Sequence, residues 1–315
     1  MNDASLQLPP EFVQKLMKIY PSKWEDILKT FNSKRIPSFR INYLKTDLSA
    51  LRRDLYEAKV RFKDIPFPKD AFLLKSSLRS FQETDIYKNG LVFIQNVSSM
   101  IPVIVLDPKD NEKILDLCAA PGAKTTQIVS QASGAQVTAM EKVRKRYYKL
   151  LSNLKSQGID SVRVHLIDGV WARKKFPEYF DKILLDVPCS VEGRFSLDNK
   201  HSYKYWKPRK VKEMMHTQKK LLHSSFFALK EGGILVYSTC TFSPEENEEI
   251  IDGFIKKFKS KVQVMPINIS LDNVEQGLRR WKNIKFSPQC RLCKRIIPTE
   301  FMEGFFIAKI KKVSV

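Results

Sequence analysis

Two cysteines stand directly after short apolar segments whose composition predicts β-strands. Cys189 closes the segment LLDVPC at 184–189, and Cys240 closes the segment VYSTC at 236–240. A thiolate can add to carbon 6 of a cytosine, which makes carbon 5 nucleophilic enough to take a methyl group. A cysteine taken alone is usually a small apolar core residue. Two thiols at strand ends beside a cofactor turn instead favour methyl transfer to a pyrimidine carbon.

The roles of the polar residues near these cysteines follow from that chemistry. We expect the Cys240 thiolate to add to carbon 6 and Cys189 to assist release of the adduct. Asp186 would hold ring nitrogen 3 and the exocyclic amine, supporting the charge that develops on the ring. Lys124 would orient Asp186 and keep it in the required protonation state.

A turn at 116–125, DLCAAPGAKT, precedes both cysteines in the chain. It places Gly122 just before a helix that begins near Lys124, and free N–H groups there favour an anionic group such as an amino-acid carboxylate. The turn lacks the G-x-G-x-x-G pattern of dinucleotide sites, and a phosphate loop would need glycines where Cys118 and Ala123 stand.

Two acids close the next predicted strands. Glu141 can accept hydrogen bonds from ribose hydroxyls, and Asp168 can accept one from an adenine amino group. The alternatives are a helix N-terminal acid for Glu141 and a local cap with Gly169 for Asp168. Taken together, the two acids fit S-adenosylmethionine in a Rossmann-like methyltransferase better than they fit a nicotinamide dinucleotide.

From about residue 113 onward, apolar strand patterns alternate with helical periodicity. Strands are predicted at 114–117, 136–140, 162–167, 182–187, 234–238 and 304–310, with helices near 124–130, 143–154, 214–229 and 247–258. This alternation predicts a mostly parallel sheet with helices on both faces. Ligands bind beyond the carboxyl ends of such strands, which here carry Cys118, Glu141, Asp168, Asp186 and Cys240.

The first hundred residues predict a separate, smaller α/β unit. Residues 10–20 have helical periodicity, 39–44 alternate like a strand, and Asp47 or Ser49 can cap a following helix. We predict domains at 1–105 and 106–315, the first resembling an RNA-recognition sheet. An open-faced sheet of this kind often binds RNA, but a plain packing domain fits equally well.

The charge balance favours a polyanionic partner. Lys and Arg number 55 against 34 acids, a net charge of +21, and basic proteins of this kind bind phosphate backbones. The alternative is a solvated basic surface.

Five cysteines, an odd number, argue against a disulfide framework, and no segment resembles a signal peptide or a membrane span. We expect a cytoplasmic, monomeric protein.

A basic segment at 200–210, KHSYKYWKPRK, mixes cations with three aromatic residues. It could follow an RNA backbone while its aromatic rings stack on bases; alternatively, Tyr205 and Trp206 fold back into the core.

Cys290 and Cys293 have the spacing of a zinc half-site, but no second pair completes four ligands. We therefore expect no metal.

The chain resembles the NOL/NOP/Sun family of RNA cytosine-5 methyltransferases. The resemblance rests on the cofactor turn 116–125, on DVPCS at 186–190, on STCT at 238–241 followed by SPEEN at 243–247, and on weaker matches from Arg40 to Lys311. It implies a Rossmann-like class I methyltransferase with a seven-stranded sheet and a smaller N-terminal domain. Trp206 to Pro208 and 241–246 look most like members that act on 16S ribosomal RNA.

The resemblance also implies a set of site residues. Cys240 would be the nucleophile and Cys189 the residue that assists release. S-adenosylmethionine would be bound by Cys118, Ala119, Ala120, Pro121, Gly122, Ala123, Lys124, Glu141, Asp168 and Asp186.

The sequence departs from the family pattern at two places. Ala123 replaces a glycine of the cofactor turn, and Val187, Val191 and Glu192 replace smaller residues near Cys189. The alternatives are a transfer-RNA methyltransferase, a DNA cytosine methyltransferase with Cys189 as its nucleophile, and a non-catalytic RNA-binding assembly factor.

Overall fold

The structure is a computed structural model that describes residues 7–314. It begins with two amphipathic helices, α1 (Pro10–Ile19) and α2 (Trp24–Phe31). Their apolar faces pack against residues that come much later in the chain: the ring of Phe12 lies 4.8 Å from that of Phe195 and 5.7 Å from that of Trp206. The two helices therefore belong to the core of the large domain rather than to the small sheet.

The small sheet follows, as predicted. Its elements are β1 (Ser38–Ile41), α3 (Leu48–Glu57), β2 (Phe62–Asp64), β3 (Ala71–Leu74), α4 (Leu78–Gln82), α5 (Asp85–Lys88) and β4 (Val92–Ile94). The strand order is β2-β3-β1-β4, all antiparallel. With α4 and α5 in the place of the second helix, the chain order β-α-β-β-α-β is that of an RNA-recognition sheet. Asp47 caps α3 by accepting hydrogen bonds from the N–H groups of Ser49 and Ala50.

One face of the small sheet packs against its own helices, and the large domain covers the other face. Ala71 and Leu73 point into the core of the large domain. Arg40, only 2% exposed, donates from Nη2 to Thr126 Oγ1 at 2.8 Å and to Ala123 O at 3.0 Å. RNA binding by the N-terminal unit remains a prediction, and it would have to use loops and edges, since the face expected to be open is buried.

Helix α6 (Val97–Leu106) leads into the large sheet, whose elements appear in chain order as follows: β5 (Lys113–Asp116), α7 (Ala123–Gln131), β6 (Gln136–Glu141), α8 (Arg144–Ser156), β7 (Arg163–Leu166), α9 (Ala172–Lys175), β8 (Phe180–Asp186), α10 (Pro208–Ala228), β9 (Leu229–Thr239), α11 (Glu248–Phe258), β10 (Val262–Met265), β11 (Val274–Gln276), β12 (Arg280–Trp281), β13 (Ile284–Lys285), β14 (Lys294–Ile296) and β15 (Phe305–Lys312).

The sheet has the expected Rossmann-like core. Strands β7, β6, β5, β8 and β9 are neighbours in that order and parallel, and β15 pairs antiparallel with β9 and β10. Six of these strands were predicted from the apolar segments; β10, which was not, brings the sheet to the seven strands that the resemblance implies. Two short strands extend the sheet to nine, because β14 also pairs with β15 and β11 pairs with β14.

Both faces of the sheet are buried, which explains the continuous apolar runs in its strands. Ile183 and Leu185 point toward α10, α11 and the two N-terminal helices, whereas Leu184 points toward α6, α7 and α8. Within residues 7–314, no helix combines the length and apolar character needed to span a bilayer.

Candidate active site

A cavity of about 470 Å³ opens at the carboxyl ends of the parallel strands. Nearly every residue predicted for the site lines it: Cys118, Ala119, Ala120, Pro121, Ala123, Lys124, Glu141, Asp168, Asp186, Cys189 and Cys240. Gly122 belongs to the same turn but does not line the cavity. The structure therefore brings together residues that are up to 122 positions apart in the chain.

The two cysteines face each other, with their sulfur atoms 3.3 Å apart. Because β8 and β9 are parallel neighbours with Asp186 opposite Ser238, the residues that follow the two strands emerge side by side. The contact with Cys240, reinforced by burial, raises the pKa of Cys189 well above its ordinary value. Cys189 is therefore a protonated thiol at neutral pH, able to donate to the sulfur of Cys240.

Asp186 is held on both carboxylate oxygens. Lys124 Nζ lies 2.7 Å from Oδ2, and Ser238 Oγ donates to Oδ1 at 2.7 Å. Lys124 also contacts Ser99 Oγ at 2.8 Å. The predicted pairing of Lys124 with Asp186 thus exists as an ion pair whose cation is largely buried.

The cofactor turn depends on Gly122. Its φ of +105° lies in the region that only glycine adopts readily, and a Cβ there would lie 2.8 Å from Leu150 Cδ1. Helix α7 begins at the next residue. The side chain of Asn153 fixes the turn from α8 by donating to Pro121 O at 2.7 Å.

Asp116 is a site residue to which the sequence reasoning assigned no role. Its Oδ2 accepts from Thr125 Oγ1 at 2.7 Å, while its buried Oδ1 has no hydrogen-bond partner within residues 7–314. Burial raises the pKa of Asp116 to about 7. An unpartnered carboxylate oxygen in this cavity suits the ammonium group of an amino-acid ligand. The sequence signal that could have identified Asp116 is its position as the first residue of the turn 116–125.

Glu141 and Asp168 both line the cavity and also make the local contacts that were the alternatives for them. Glu141 accepts from Val143 N at 2.8 Å and lies 3.3 Å from Arg146 Nη1. Asp168 accepts from Val170 N at 3.1 Å. The local contacts leave both side chains on the cavity wall, so their ligand roles remain predictions.

The third cavity thiol, that of Cys118, is a poor nucleophile. Burial, with the nearby charge of Asp116, raises the pKa of Cys118 far above its ordinary value. Within the cavity, the pair formed by Cys189 and Cys240 is therefore the better placed for thiol chemistry.

The basic segment 200–210 divides between core and surface. Trp206 is 6% exposed and donates from Nε1 to Glu192 Oε1 at 3.0 Å, and Tyr203 is also buried. Tyr205 is 72% exposed. The stacking interpretation is therefore wrong for Trp206 and Tyr203, and the core alternative is wrong for Tyr205.

Cys290 and Cys293, the possible zinc half-site, are both buried as free thiols. Within residues 7–314, the structure contains no cluster of three or more His, Cys, Asp or Glu side chains arranged to hold a metal ion.

Val191, one of the departures from the family pattern, has a strained backbone. Its φ is +61°, in a left-handed conformation that β-branched residues avoid. We expect Val191→Gly to stabilise the protein by about 1 kcal/mol, since relief of the conformational strain outweighs the added freedom of the unfolded chain. Thermal unfolding should show a melting temperature higher by about 2 °C.

Val143 provides the matched control for this prediction. It is exposed to a similar degree, 42% against 37% for Val191, but its φ is −93°. Val143→Gly should therefore lower the melting temperature. Equal shifts of the two variants would contradict the assignment of strain to Val191.

Comparison with known proteins identifies close likenesses over both parts of the chain. The family model described as 16S rRNA methyltransferase RsmB/F matches residues 103–311, and the model of the N-terminal domain of 16S rRNA methyltransferase RsmF matches residues 8–97. The tRNA (cytosine(49)-C(5))-methyltransferase of Pyrococcus abyssi is 37% identical over 279 residues, covering 88% of each chain.

A bacterial relative and a solved structure extend this likeness. Ribosomal RNA small subunit methyltransferase F of Aliivibrio fischeri is 34% identical over 98% of this chain, but the match spans only 64% of that protein. A methyltransferase homologue from Pyrococcus horikoshii has a crystal structure that superimposes with a TM-score of 0.86 at 29% identity, over 99% of this chain and 98% of that one.

Proposed function

Because the chain belongs to the RsmB/F family of S-adenosylmethionine-dependent RNA cytosine-5 methyltransferases, we propose that Cys240 is the nucleophile with which it methylates carbon 5 of a cytidine in RNA. One observation carries the proposal. The paired sulfur atoms of Cys189 and Cys240, 3.3 Å apart, share a cavity with the ion pair of Lys124 and Asp186.

The side chains of Cys240 and Asp186 would activate the cytosine. The Cys240 thiolate, its proton lost to solvent, forms a bond to carbon 6, and the electron pair of the double bond between carbons 5 and 6 moves toward carbon 5. Asp186, fixed by Lys124 and Ser238, accepts from the exocyclic amine and holds the edge of ring nitrogen 3. Carbon 5 thereby gains electron density. After methylation a base from the solvent takes the proton from carbon 5, the double bond between carbons 5 and 6 re-forms as the bond from sulfur to carbon 6 breaks, and Cys189 assists release by donating a hydrogen bond to the departing thiolate.

The residues around the turn fit S-adenosylmethionine, which when bound supplies an electrophilic methyl group. We propose that 118–124, Glu141, Asp168 and Asp186 hold it, as the resemblance implies. The unpartnered Oδ1 of Asp116 supports the fit, because it offers an acceptor for the ammonium group.

For the substrate we propose ribosomal RNA, supported by the match of the N-terminal segment to the RsmF domain model. Transfer RNA is the second candidate, because the archaeal relative named for that substrate matches over 88% of its own length. Bisulfite sequencing of ribosomal and transfer RNA, from cells with and without the gene, tests both. An unchanged 5-methylcytosine pattern in both pools would contradict the proposal. Cytoplasmic location and a monomeric state remain predictions.

A second cavity of about 580 Å³ adjoins the first and offers a path for the RNA backbone. Lys34, Arg35 and Arg194 line it, and Arg194 and Glu303 line both cavities. The target base must leave its stack to reach Cys240, so the flanking phosphates have to lie near the mouth of the first cavity. We propose that Arg194 contacts one of these phosphates.

Arg194→Gln should therefore weaken RNA binding and reduce its salt dependence. Loss of one contact to a single-stranded phosphate is expected to change the slope of log K against log salt by about 0.7. Fluorescence anisotropy with a labelled oligonucleotide measures both quantities. Arg194 pairs with Glu303 at 3.3 Å. Arg52→Gln is the control, because Arg52 likewise pairs with a carboxylate, that of Asp64, but lies outside both cavities. Equal slopes for the wild type and Arg194→Gln would reject the phosphate contact.

A further inference from the structure

Two fully buried glutamates lie behind the cysteine pair. Glu192 begins the short 3-10 turn Glu192–Arg194, and Glu246 lies in the loop between β9 and α11. Burying a carboxylate is costly unless its oxygens are satisfied. The hydrogen bonds of the two residues therefore indicate how each is tolerated.

The two carboxyl groups differ in how fully their oxygens are occupied. Each oxygen of Glu192 accepts from two donors: Oε1 from Trp206 Nε1 and Ser243 Oγ at 3.0 and 2.6 Å, and Oε2 from Thr241 Oγ1 and Phe242 N at 2.8 and 3.1 Å.

Glu246 has one crowded oxygen and one that is nearly free. Its Oε2 accepts from Ser190 N at 2.9 Å and from Gln218 Nε2 at 2.8 Å, whereas the hydrogen bonds of residues 7–314 give Oε1 a single partner, Ser190 Oγ.

A chain of oxygen atoms joins the two glutamates across the cysteine loops. It runs from Glu246 Oε1 to Ser190 Oγ, then to Thr241 Oγ1 at 2.8 Å, and on to Glu192 Oε2. Ser190 directly follows Cys189, and Thr241 directly follows Cys240. The middle link therefore connects the two loops that carry the thiols.

The number of protons in this chain can be counted. Three links between oxygen atoms need three protons, and the hydroxyls of Ser190 and Thr241 supply one each. The third must come from a carboxyl group. Apart from the links themselves, Oε2 of Glu192 still accepts from Phe242 N, whereas Oε1 of Glu246 accepts from no other donor within residues 7–314, so the proton belongs on Oε1 of Glu246.

We propose that a protonated Glu246 is a positioning residue that, through Ser190 and Thr241, holds the loops of Cys189 and Cys240 at reacting distance. Its catalytic relevance rests on the proposed function of the two cysteines. Without the third proton, the oxygens of Ser190 and Thr241 would face each other with no hydrogen between them, and the two loops would separate.

The electrostatic surroundings agree with this proton count. Burial first, and the charge of Glu192 second, raise the pKa of Glu246 to about 8. The other titratable groups that face it within residues 7–314 are Cys189 and Tyr237, whose pKa values are raised by the contact with Cys240 and by burial, respectively, while α10 contributes the neutral Gln218. None of these groups offers a cation.

The stabilisation that this proton provides decreases as the pH rises. A folded-state pKa above the ordinary value of 4.5 means that the folded protein binds this proton more tightly than the unfolded chain. Its contribution to stability is complete below pH 4.5 and is lost as the pH rises to about 8.

Glutamine at 246 reproduces the protonated acid, because its amide can donate to Ser190 Oγ while its carbonyl accepts from Ser190 N and Gln218. We expect Glu246→Gln to keep the thiols close and to lose this pH dependence. Glu246→Ala and Thr241→Val should separate the loops. Glu192→Gln should also separate the loops, because two of the groups that donate to Glu192 would then face an amide N–H₂ group, which cannot accept a hydrogen bond.

Oxidation by diamide in the absence of RNA and cofactor measures the spacing of the thiols. The reagent takes up both thiol protons and two electrons and is reduced to a hydrazine, while one bond forms between the two sulfur atoms. Peptide mass spectrometry then gives the rate of cross-linking of Cys189 to Cys240. Loss of a buried hydrogen bond should slow it by about tenfold.

The expected pattern is asymmetric between the two glutamates. Glu246→Gln should cross-link like the wild type, and Glu192→Gln, Glu246→Ala and Thr241→Val more slowly. The melting temperature of the wild type should fall relative to that of Glu246→Gln as the pH rises from 4.5 to about 8. Slow cross-linking by Glu246→Gln would overturn the proton assignment, and fast cross-linking by Glu246→Ala would overturn the positioning role. Absence of methyl transfer with this pattern intact would reject only the proposed function.

Discussion

Cys240→Ala should abolish both methyl transfer and covalent attachment to RNA, whereas Cys189→Ala should accumulate a protein–RNA adduct that resists denaturation. Without the Cys240 sulfur, carbon 5 of cytosine is not activated, and the rate should fall by at least about 10⁴-fold. Without Cys189 the adduct still forms, but its release is slowed. Transfer of labelled methyl groups and denaturing gel electrophoresis of the complexes measure the two outcomes.

The control for this pair is Cys290→Ala, which removes a buried thiol outside the cavity. It should neither block turnover nor trap RNA. An adduct that persists in Cys240→Ala would transfer the nucleophilic role to Cys189, the arrangement expected of the DNA cytosine methyltransferase alternative.

Asp186→Asn and Lys124→Met should each lower kcat by about 10²–10³-fold, the usual cost of removing one preorganised electrostatic partner of a developing charge. Asparagine turns a donor group toward either Lys124 or Ser238, both of which now donate to the carboxylate. Methionine leaves one oxygen of Asp186 without its cation. Single-turnover kinetics with saturating RNA separates this effect from binding.

Lys182→Met is the matched control. Lys182 lies on the same strand as Asp186 and pairs at 3.0 Å with Glu112, but it does not line the cavity. It should leave kcat close to the wild-type value. If Lys124→Met raised KM without lowering kcat, Lys124 would serve binding alone.

The parts of the site that the sequence predicted are those with local signals. The turn around Gly122 joins a strand to a helix within ten residues, and the acids at strand ends follow from the apolar runs before them. The meeting of Cys189 and Cys240 required only that two strands be parallel neighbours, which the alternation of strands and helices already implied.

The parts that were missed depend on tertiary contacts. Glu192 and Glu246 are linked through Ser190 and Thr241, residues about fifty positions apart, and no sequence period encodes such a link. The aromatic residues of 200–210 carry the same composition whether they face solvent or core, so burial of Trp206 could not be separated from exposure of Tyr205. The covered face of the small sheet depends on Arg40 reaching α7.

The contact between α1 and the large domain has a consequence for synthesis of the chain. Phe12 emerges early from the ribosome, but its partners Phe195 and Phe242 are translated roughly two hundred residues later. At about 5–20 residues per second, that delay lasts on the order of ten seconds or more. The apolar face of α1 stays exposed on the nascent chain throughout that interval, so we expect chaperones near the ribosomal exit tunnel to bind it.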